Sequence, residues 1–255
     1  MFNIEEFDIK LDTDYLGRNF VYVEEVDSTN KFLLQTKEYQ ENGTVLLAEN
    51  QTDGRGRLNR TWLSNKEQNL TFSILLNEGI NPSLINIINL ASSLAVAQSI
   101  ENLYQLHVEL KWPNDVLINK KKTAGILLES SSKGNKIERV VIGIGLNVNQ
   151  PNFTGKYNIP PTSIRLEFKK VVSRERLLSE LLNNLEELFT AVEHAPDKVL
   201  NDWKNRCKLI GEKIKIISGE ETKFGIFEDI DENGFLILKT QSTKEKIHFG
   251  DVSLR

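Results

Sequence analysis

The chain has 255 residues, 39% of them hydrophobic and 27% charged, with a formal net charge of −4. That length allows one large domain, or one domain plus a small satellite, and it buries enough surface to need no covalent staples. A single cysteine, Cys207, excludes an internal disulfide framework, the scattered His107, His194 and His248 make no His/Cys metal cluster, and the acidic balance argues against a general nucleic-acid binder.

The opening MFNIEEFDIK is acidic and carries no apolar run behind basic residues, so it does not read as a signal peptide. No stretch approaches the roughly 20 apolar residues that span a bilayer. With one thiol, this points to a cytoplasmic protein. Asp27, Ser28 or Thr29 can cap a helix running to about Tyr39. TVLLAEN (Thr44 to Asn50) and NLTFSILL (Asn69 to Leu76) read as neighbouring buried strands. Pro82 opens a long helix with Leu84, Ile87, Ile88, Ala91, Leu94 and Ala95 at helical spacing. HVELKW (His107 to Trp112) is a strand entering the turn PND. VLIN and TAGILLES read as a hairpin around the basic turn Lys120–Lys122. ERVVIGIGLNVN (Glu138 to Asn149) is a long apolar strand. SRERLLSELLNNLEELFTAVEH is a helix capped by Ser173, and PDKVLNDWKNRC continues as another. From Gly211 the pattern changes to short strands at hairpin spacing, which suggests a small antiparallel barrel. The expected organisation is a catalytic domain over residues 1–208 and a barrel over 209–255.

Three segments carry chemistry-bearing residues. ENQTDGRGRLNRTW places Arg55, Arg57 and Arg60 among Gly54 and Gly56 and ends on Trp62. Glycines let backbone N–H groups approach a ligand, arginine presents planar bidentate donors to carboxylate or phosphate, and the indole offers a face for a base. A solvated basic turn with a core tryptophan explains the same residues. KWPND (Lys111 to Asp115) and KKKTAG read equally well as ordinary turn chemistry. GIGLNVN (Gly143 to Asn149) lacks the full dinucleotide fingerprint and lies inside a strand, where glycines mark close approach of a ligand or another backbone.

Taken together, DSTN (27–30), QTDGRGRLNRTW (51–62), KWPND (111–115), KTAGILLE (122–129) and GIGLNVN (143–149) resemble the biotin protein ligases, in that family's order and at compatible spacings. The resemblance extends to the terminal segment ending VSLR and so covers nearly the whole chain. It implies an α+β fold, a mixed β-sheet with packed helices as catalytic domain, followed by a small SH3-like β-barrel. It implies a C–N bond-forming ligase with ATP and biotin as substrates and Mg²⁺ as the ion. Biotin is activated to biotinyl-5'-AMP and passed to a lysine of a biotin carboxyl carrier domain of a biotin-dependent carboxylase.

Residue by residue, the resemblance assigns Ser28, Thr29, Asn30, Gln51, Gly54, Arg55, Gly56, Arg57 and Lys122 to biotin. It assigns Arg55, Arg57, Arg60, Trp62, Asn114, Lys122 and Asn147 to ATP, Arg57 and Lys122 to catalysis, and Asp115 to the metal. Asn59 stands where the family usually has glycine, and the expectation is that it supplies a left-handed backbone, which Asn tolerates better than other residues. Some members begin with a winged-helix DNA-binding domain. Here the ligase pattern starts within the first 30 residues, so an enzyme that binds neither DNA directly nor a membrane is expected. The alternatives are a lipoate-protein ligase or octanoyltransferase on the same scaffold, or a nucleic-acid-binding module using the Arg/Gly loop. The octanoyltransferase needs a cysteine nucleophile, and Cys207 lies far from every motif.

Overall fold

Seven apolar segments pair into one mixed sheet in a computed structural model, which describes residues 1–78, 81–134 and 136–254, apart from the side chain of Asn59. The strands are β1 (Phe20–Val26), β2 (Val45–Gln51), β3 (Leu70–Leu76), β4 (Val108–Lys111), β5 (Asp115–Ile118), β6 (Lys121–Lys133) and β7 (Lys136–Leu146), in the order β1-β2-β3-β7-β6-β5-β4. β1 and β2 run parallel and every other neighbouring pair is antiparallel. β3 is buried along its whole length, as a central strand covered on both faces must be.

Helices cover the two faces unequally. α1 (Ile4–Lys10), α3 (Ile85–Tyr104), α5 (Arg174–His194) and α6 (Pro196–Lys204) form one layer, with α3 touching β4, β5 and β6 as well as α5 and α6. α2 (Thr29–Gln35) lies on the other face, where Leu33 packs with Leu46, Leu75 and Val141. A short α4 (Ile164–Phe168) follows β7. The helical segment Pro82–Tyr104, which contains α3, is long and apolar enough to cross a membrane by length and composition alone, so the expectation that no segment reaches that length is corrected. Its burial against the sheet, α5 and α6 accounts for that composition. Ser92, Ser93 and Ser99 within it satisfy their hydroxyls on carbonyls three or four residues back.

Two predicted boundaries move, each for a local reason. α2 is capped by Ser28 as expected but stops at Gln35 instead of about Tyr39. Thr36 leaves the helix with ψ 146, and its Oγ1 accepts the Glu38 N–H at 3.2 Å, so turn bonding displaces another helical turn. The β5–β6 turn is Asn119–Lys120, both with positive φ (51° and 61°), not Lys120–Lys122. Two left-handed residues make the tight hairpin turn whose twist matches its strands. Lys121 and Lys122 therefore belong to β6. The sequence pattern predicts none of α1, β1 and α4.

The terminal segment forms β8 (Lys213–Ser218), β9 (Glu221–Ile230), β10 (Leu236–Lys239), β11 (Lys244–Ile247) and β12 (Asp251–Leu254), an antiparallel sheet ordered β11-β10-β9-β8-β12. Ile214, Ile216, Phe227, Leu236, Leu238 and Val252 fill its core. It is bonded to the larger unit: Trp112 Nε1 donates to the Gly234 carbonyl at 3.1 Å.

One polar cluster is built into the larger core. Arg174, at the start of α5, binds both oxygens of Glu49 on β2 at 2.6 and 2.9 Å. Tyr22 O–H and the Glu67 N–H also donate to that carboxylate.

Candidate active site

The floor of the site is a strip of sheet with little side chain on it. Cross-strand pairing places Thr71, Gly145, Gly125 and Asp115 in one row, and Ser73, Gly143 and Leu127 in the next. Directly paired residues share a face, so three glycines open a trough in it. The trough and its surroundings enclose a cavity of about 650 Å³.

Lys122 reaches this face through an irregularity. β5 and β6 pair Leu117 with Lys122 but Val116 with Ala124, which leaves Thr123 as an extra residue. In a regular strand Lys122 would share the face of Ala124, which is buried in the core beneath α3. The bulge turns it to the face of Gly125, where its Cε and Nζ would lie 3.1 Å from a Cβ at that glycine. The Lys122 ammonium sits 2.5 Å from Asp115 Oδ1 and 5.6 Å from the centre of the Trp62 ring. Lys111 lies 3.7 Å from the other Asp115 oxygen, and burial lowers its pKa.

The Arg/Gly loop forms the roof. Gly56 N–H bonds the Arg60 carbonyl at 2.7 Å and Trp62 N–H bonds the Gly54 carbonyl at 2.9 Å, closing a narrow hairpin-like loop. A Cβ at Gly54 would run into the Trp62 carbonyl, so glycine is required there. The loop's left-handed residue is Leu58, with φ 55 and ψ 40. Asn59, of which a left-handed backbone is expected, instead closes the 3-10 turn Arg57–Asn59, and the left-handed conformation falls one residue earlier. The three arginines differ. Arg55 is exposed and paired with Asp53 at 2.9 Å. Arg57 is half-buried, donates to Asn114 Oδ1 at 3.1 Å and to the Gly250 carbonyl at 3.4 Å, and burial lowers its pKa without removing the guanidinium charge. Arg60 pairs with Asp251 of β12. The terminal sheet thus supplies wall to the cavity through Asp251.

At the far end the lining is neutral. Thr29 donates its N–H to Gln51 Oε1 at 2.8 Å, and Thr29 Oγ1 lies 3.0 Å from the same atom. Ser28, Thr29, Asn30, Gln51, Arg55, Gly56, Arg57, Arg60, Trp62, Asn114, Asp115, Lys122 and Asn147 all line the one cavity; of the expected residues only Gly54 does not. Asn147 bonds the Thr162 carbonyl at 3.1 Å, holding the 160–162 segment beside Lys122.

Asp115 does not fit the metal role expected of it. Both its oxygens face lysines, and the neighbouring Asn114 spends Nδ2 on the Ile126 carbonyl at 2.7 Å and Oδ1 on Arg57. Among the described residues no three His, Cys, Asp or Glu side chains group to hold an ion. Mg²⁺ is therefore assigned to none of the described residues.

The Trp62 ring rests on the trough. A Cβ at Gly145 would meet Trp62 Cζ2 and Nε1 at 2.6 Å, and that Nε1 is buried with no hydrogen-bond partner among the described residues. Gly145→Ala should push the ring away at an overpacking cost of about 1–3 kcal/mol. Trp112 and Trp203 stay buried elsewhere, so a change in indole emission reports Trp62. Unchanged emission and unchanged urea midpoint would show that the ring has room to spare.

Most of the segments that build this cavity fall within two family models. The model "Biotin/lipoate A/B protein ligase family" matches residues 22–147, and "Biotin protein ligase C terminal domain" matches residues 209–255. The biotin--[acetyl-CoA-carboxylase] ligase of Mycobacterium tuberculosis is 33% identical over 221 residues, covering 82% of this chain and 78% of that protein. The enzyme of the same name from Paracoccus denitrificans is 30% identical over 89% of this chain and 96% of its own length. The biotin protein ligase from Aquifex aeolicus, solved in complex with biotin and ATP, superposes with a TM-score of 0.82 at 31% identity over 93% of this chain and 99% of that one. The chain belongs to the biotin protein ligases, and it is a ligase by activity.

Proposed function

We propose that the chain works in the cytoplasm and uses this cavity for both half-reactions of carrier biotinylation. The observation that carries the reading is the polarity of the cavity. Its Thr29/Gln51 part offers neutral hydrogen-bonding groups beside the exposed Arg55, which is already paired with Asp53, while Arg57, Arg60 and Lys122 gather around Asp115 and Asp251. A cyclic urea with a carboxylate tail matches that division. In the first step a biotin carboxylate oxygen attacks the α-phosphorus of ATP, the bond to the β-phosphate bridging oxygen breaks, and pyrophosphate leaves. The reactants repel as anions, so fixed cations and positioning supply most of the rate. Arg57 and Lys122 hold the carboxylate and the bridging phosphate, Arg60 faces the outer phosphates, Trp62 packs on the adenine, and Asn147 and Asn114 steady the nucleotide side. In the second step a lysine amine of a biotin carboxyl carrier domain attacks the acyl carbon, AMP leaves, and the amine loses a proton. An ion arriving on ATP would be held by phosphate oxygens and water, the usual habit of Mg²⁺.

Biotin-dependent exchange of labelled pyrophosphate into ATP tests this. Exchange with biotin and none with lipoate is expected; the reverse would make the chain a lipoate ligase. An acyl-cysteine route is tested separately. Cys207 is buried, its thiol is pushed up to about 11 by burial, and it does not line the cavity. Cys207→Ala should retain near-normal exchange, and the native thiol should resist alkylation at pH 8. Loss of activity in a folded variant would reopen the route.

A further inference from the structure

Behind Thr29 runs a chain of four oxygens with too few protons to bond them all. Asn30 is buried, and its Nδ2 lies 2.7 Å from Glu129 Oε2 and 3.0 Å from the Leu127 carbonyl. Only an amide nitrogen suits two acceptors, so its Oδ1 must point the other way. The notch that seats this side chain exists because residue 143 is glycine; a Cβ there would collide with Asn30. Asn30 Oδ1 lies 2.6 Å from Ser73 Oγ, Ser73 Oγ lies 2.7 Å from Thr29 Oγ1, and Thr29 Oγ1 lies 3.0 Å from Gln51 Oε1. Gln51 is itself fixed with its oxygen inward, because that atom takes the Thr29 backbone N–H.

Both ends of the chain are carbonyl oxygens that only accept. Between them are two hydroxyl protons for three contacts. Among the described residues Ser73 is the one donor to Asn30 Oδ1, at 2.6 Å, so the Ser73 proton is committed to it. Thr29 Oγ1 then has one proton for Ser73 Oγ at 2.7 Å and Gln51 Oε1 at 3.0 Å, and the shorter contact, which two bare lone pairs could not hold, takes it. The remaining contact, Thr29 to Gln51, is the longest of the three and brings two acceptors together with no proton between them.

We infer that Ser73, held by the Asn30 amide that Glu129 and the Leu127 carbonyl orient, is a positioning residue that makes the Thr29–Gln51 edge acceptor-only and so selects a ligand presenting an N–H there. The inference rests on the proposed biotin reading, in which a ureido N–H fills that place. Its N–H supplies the missing proton and relieves the acceptor–acceptor contact. A ligand with a ring oxygen in that position adds a third acceptor. Sites built around a hydrogen bond reject analogues lacking it far more strongly than apolar pockets reject a missing methylene.

The test compares biotin with its two cyclic carbamate analogues, each with one ureido N–H replaced by oxygen. Calorimetric binding is measured for the wild-type chain, Ser73→Ala and Ser73→Cys. Wild type should prefer biotin over one of the two isomers by at least about 10²-fold. Ser73→Ala frees the Thr29 proton to bond Gln51, so that preference should fall at least about tenfold. KM for ATP and kcat at saturating biotin should stay within about twofold. Ser73→Cys keeps the volume with a poor donor and acceptor, and should lose the preference as the alanine variant does; a preference restored by cysteine would assign the alanine effect to a void and overturn the inference. A wild-type preference that survives both substitutions overturns the inference, even if affinity for all three ligands drops together. Equal wild-type binding of biotin and both carbamates also overturns it while leaving the biotin reading intact. Failure of wild type to bind biotin overturns that reading, and the inference with it.

Discussion

Lys122→Ala is expected to lower biotin-dependent pyrophosphate exchange by at least about 10²-fold, the scale of losing one preorganised electrostatic donor. Lys120→Ala should leave the rate near wild type. The two residues are neighbours in a run of three lysines, so composition gives no reason for the difference. Geometry does. Lys120 is an exposed turn residue with φ 61. Lys122 is carried over the Gly125 trough by the extra residue in β6, and its backbone is fixed on both sides. Its N–H donates to the Pro160 carbonyl at 2.8 Å, and its carbonyl accepts the Thr162 N–H at 2.9 Å. Asp115 holds the ammonium at the cavity edge, and Lys111 lies near the same carboxylate. Because Lys111 helps to compensate Asp115, Lys122 can turn to a substrate anion without leaving an unpaired carboxylate. The loss should appear chiefly in kcat, since the charge it meets grows as carboxylate and phosphate approach. Equal losses at Lys120 and Lys122 would sink the assignment.

That bulge also marks where sequence reading stops. The order of motifs, the long buried helix and the five terminal strands follow from periodicity, caps and turn residues, which are local. Residues 120 to 122 read as a turn because three lysines in a row look solvated. Their placement depends on one unpaired residue, Thr123, whose effect exists only once β5 is alongside. The same holds for Gly250 and Asp251. Nothing near them suggests a ligand, yet the terminal sheet brings them to Arg57 and Arg60. Ser73 was more accessible. In the apolar strand LTFSILL the polar Thr71 and Ser73 alternate, and Gly143 and Gly145 alternate on the paired strand. Period-two polarity in a central strand is a signal of a cavity on that face. The left-handed residue of the Arg loop at Leu58 carried no such signal, since leucine is seldom found there.

Arg174→Met is expected to destabilise the fold by about 3–5 kcal/mol, the cost of stranding one partner of a buried ion pair. The side chains of Arg174 and Glu49 are 6% and 1% exposed, so water cannot substitute for the lost guanidinium. Arg174 also donates to the Asn69 carbonyl at 3.1 Å, and Glu49 holds the Glu67 N–H, so the cluster ties α5 to β2 and to the segment entering β3. Gln51 stands two residues beyond Glu49, so the clamp also steadies the neutral end of the cavity. Removing both charges should recover much of the loss, and Arg174→Met with Glu49→Gln should be more stable than Arg174→Met alone. The pH dependence separates this account from simple loss of packing. In the wild-type chain desolvation works to raise the Glu49 pKa, but bonds from Arg174 and Tyr22 outweigh it and hold the group below the usual carboxylate range. Its contribution is then present above the unfolded-state pKa and is lost as pH falls through the depressed folded value. In Arg174→Met the desolvation remains and the opposing guanidinium is gone, so the folded pKa rises above the unfolded one and the sign reverses. The penalty is full at pH values above the folded pKa and shrinks as acid protonates Glu49. Urea midpoints for both proteins at neutral pH and near pH 4 therefore should converge. A deficit of the same size at both pH values would assign the effect to lost packing and overturn the electrostatic account.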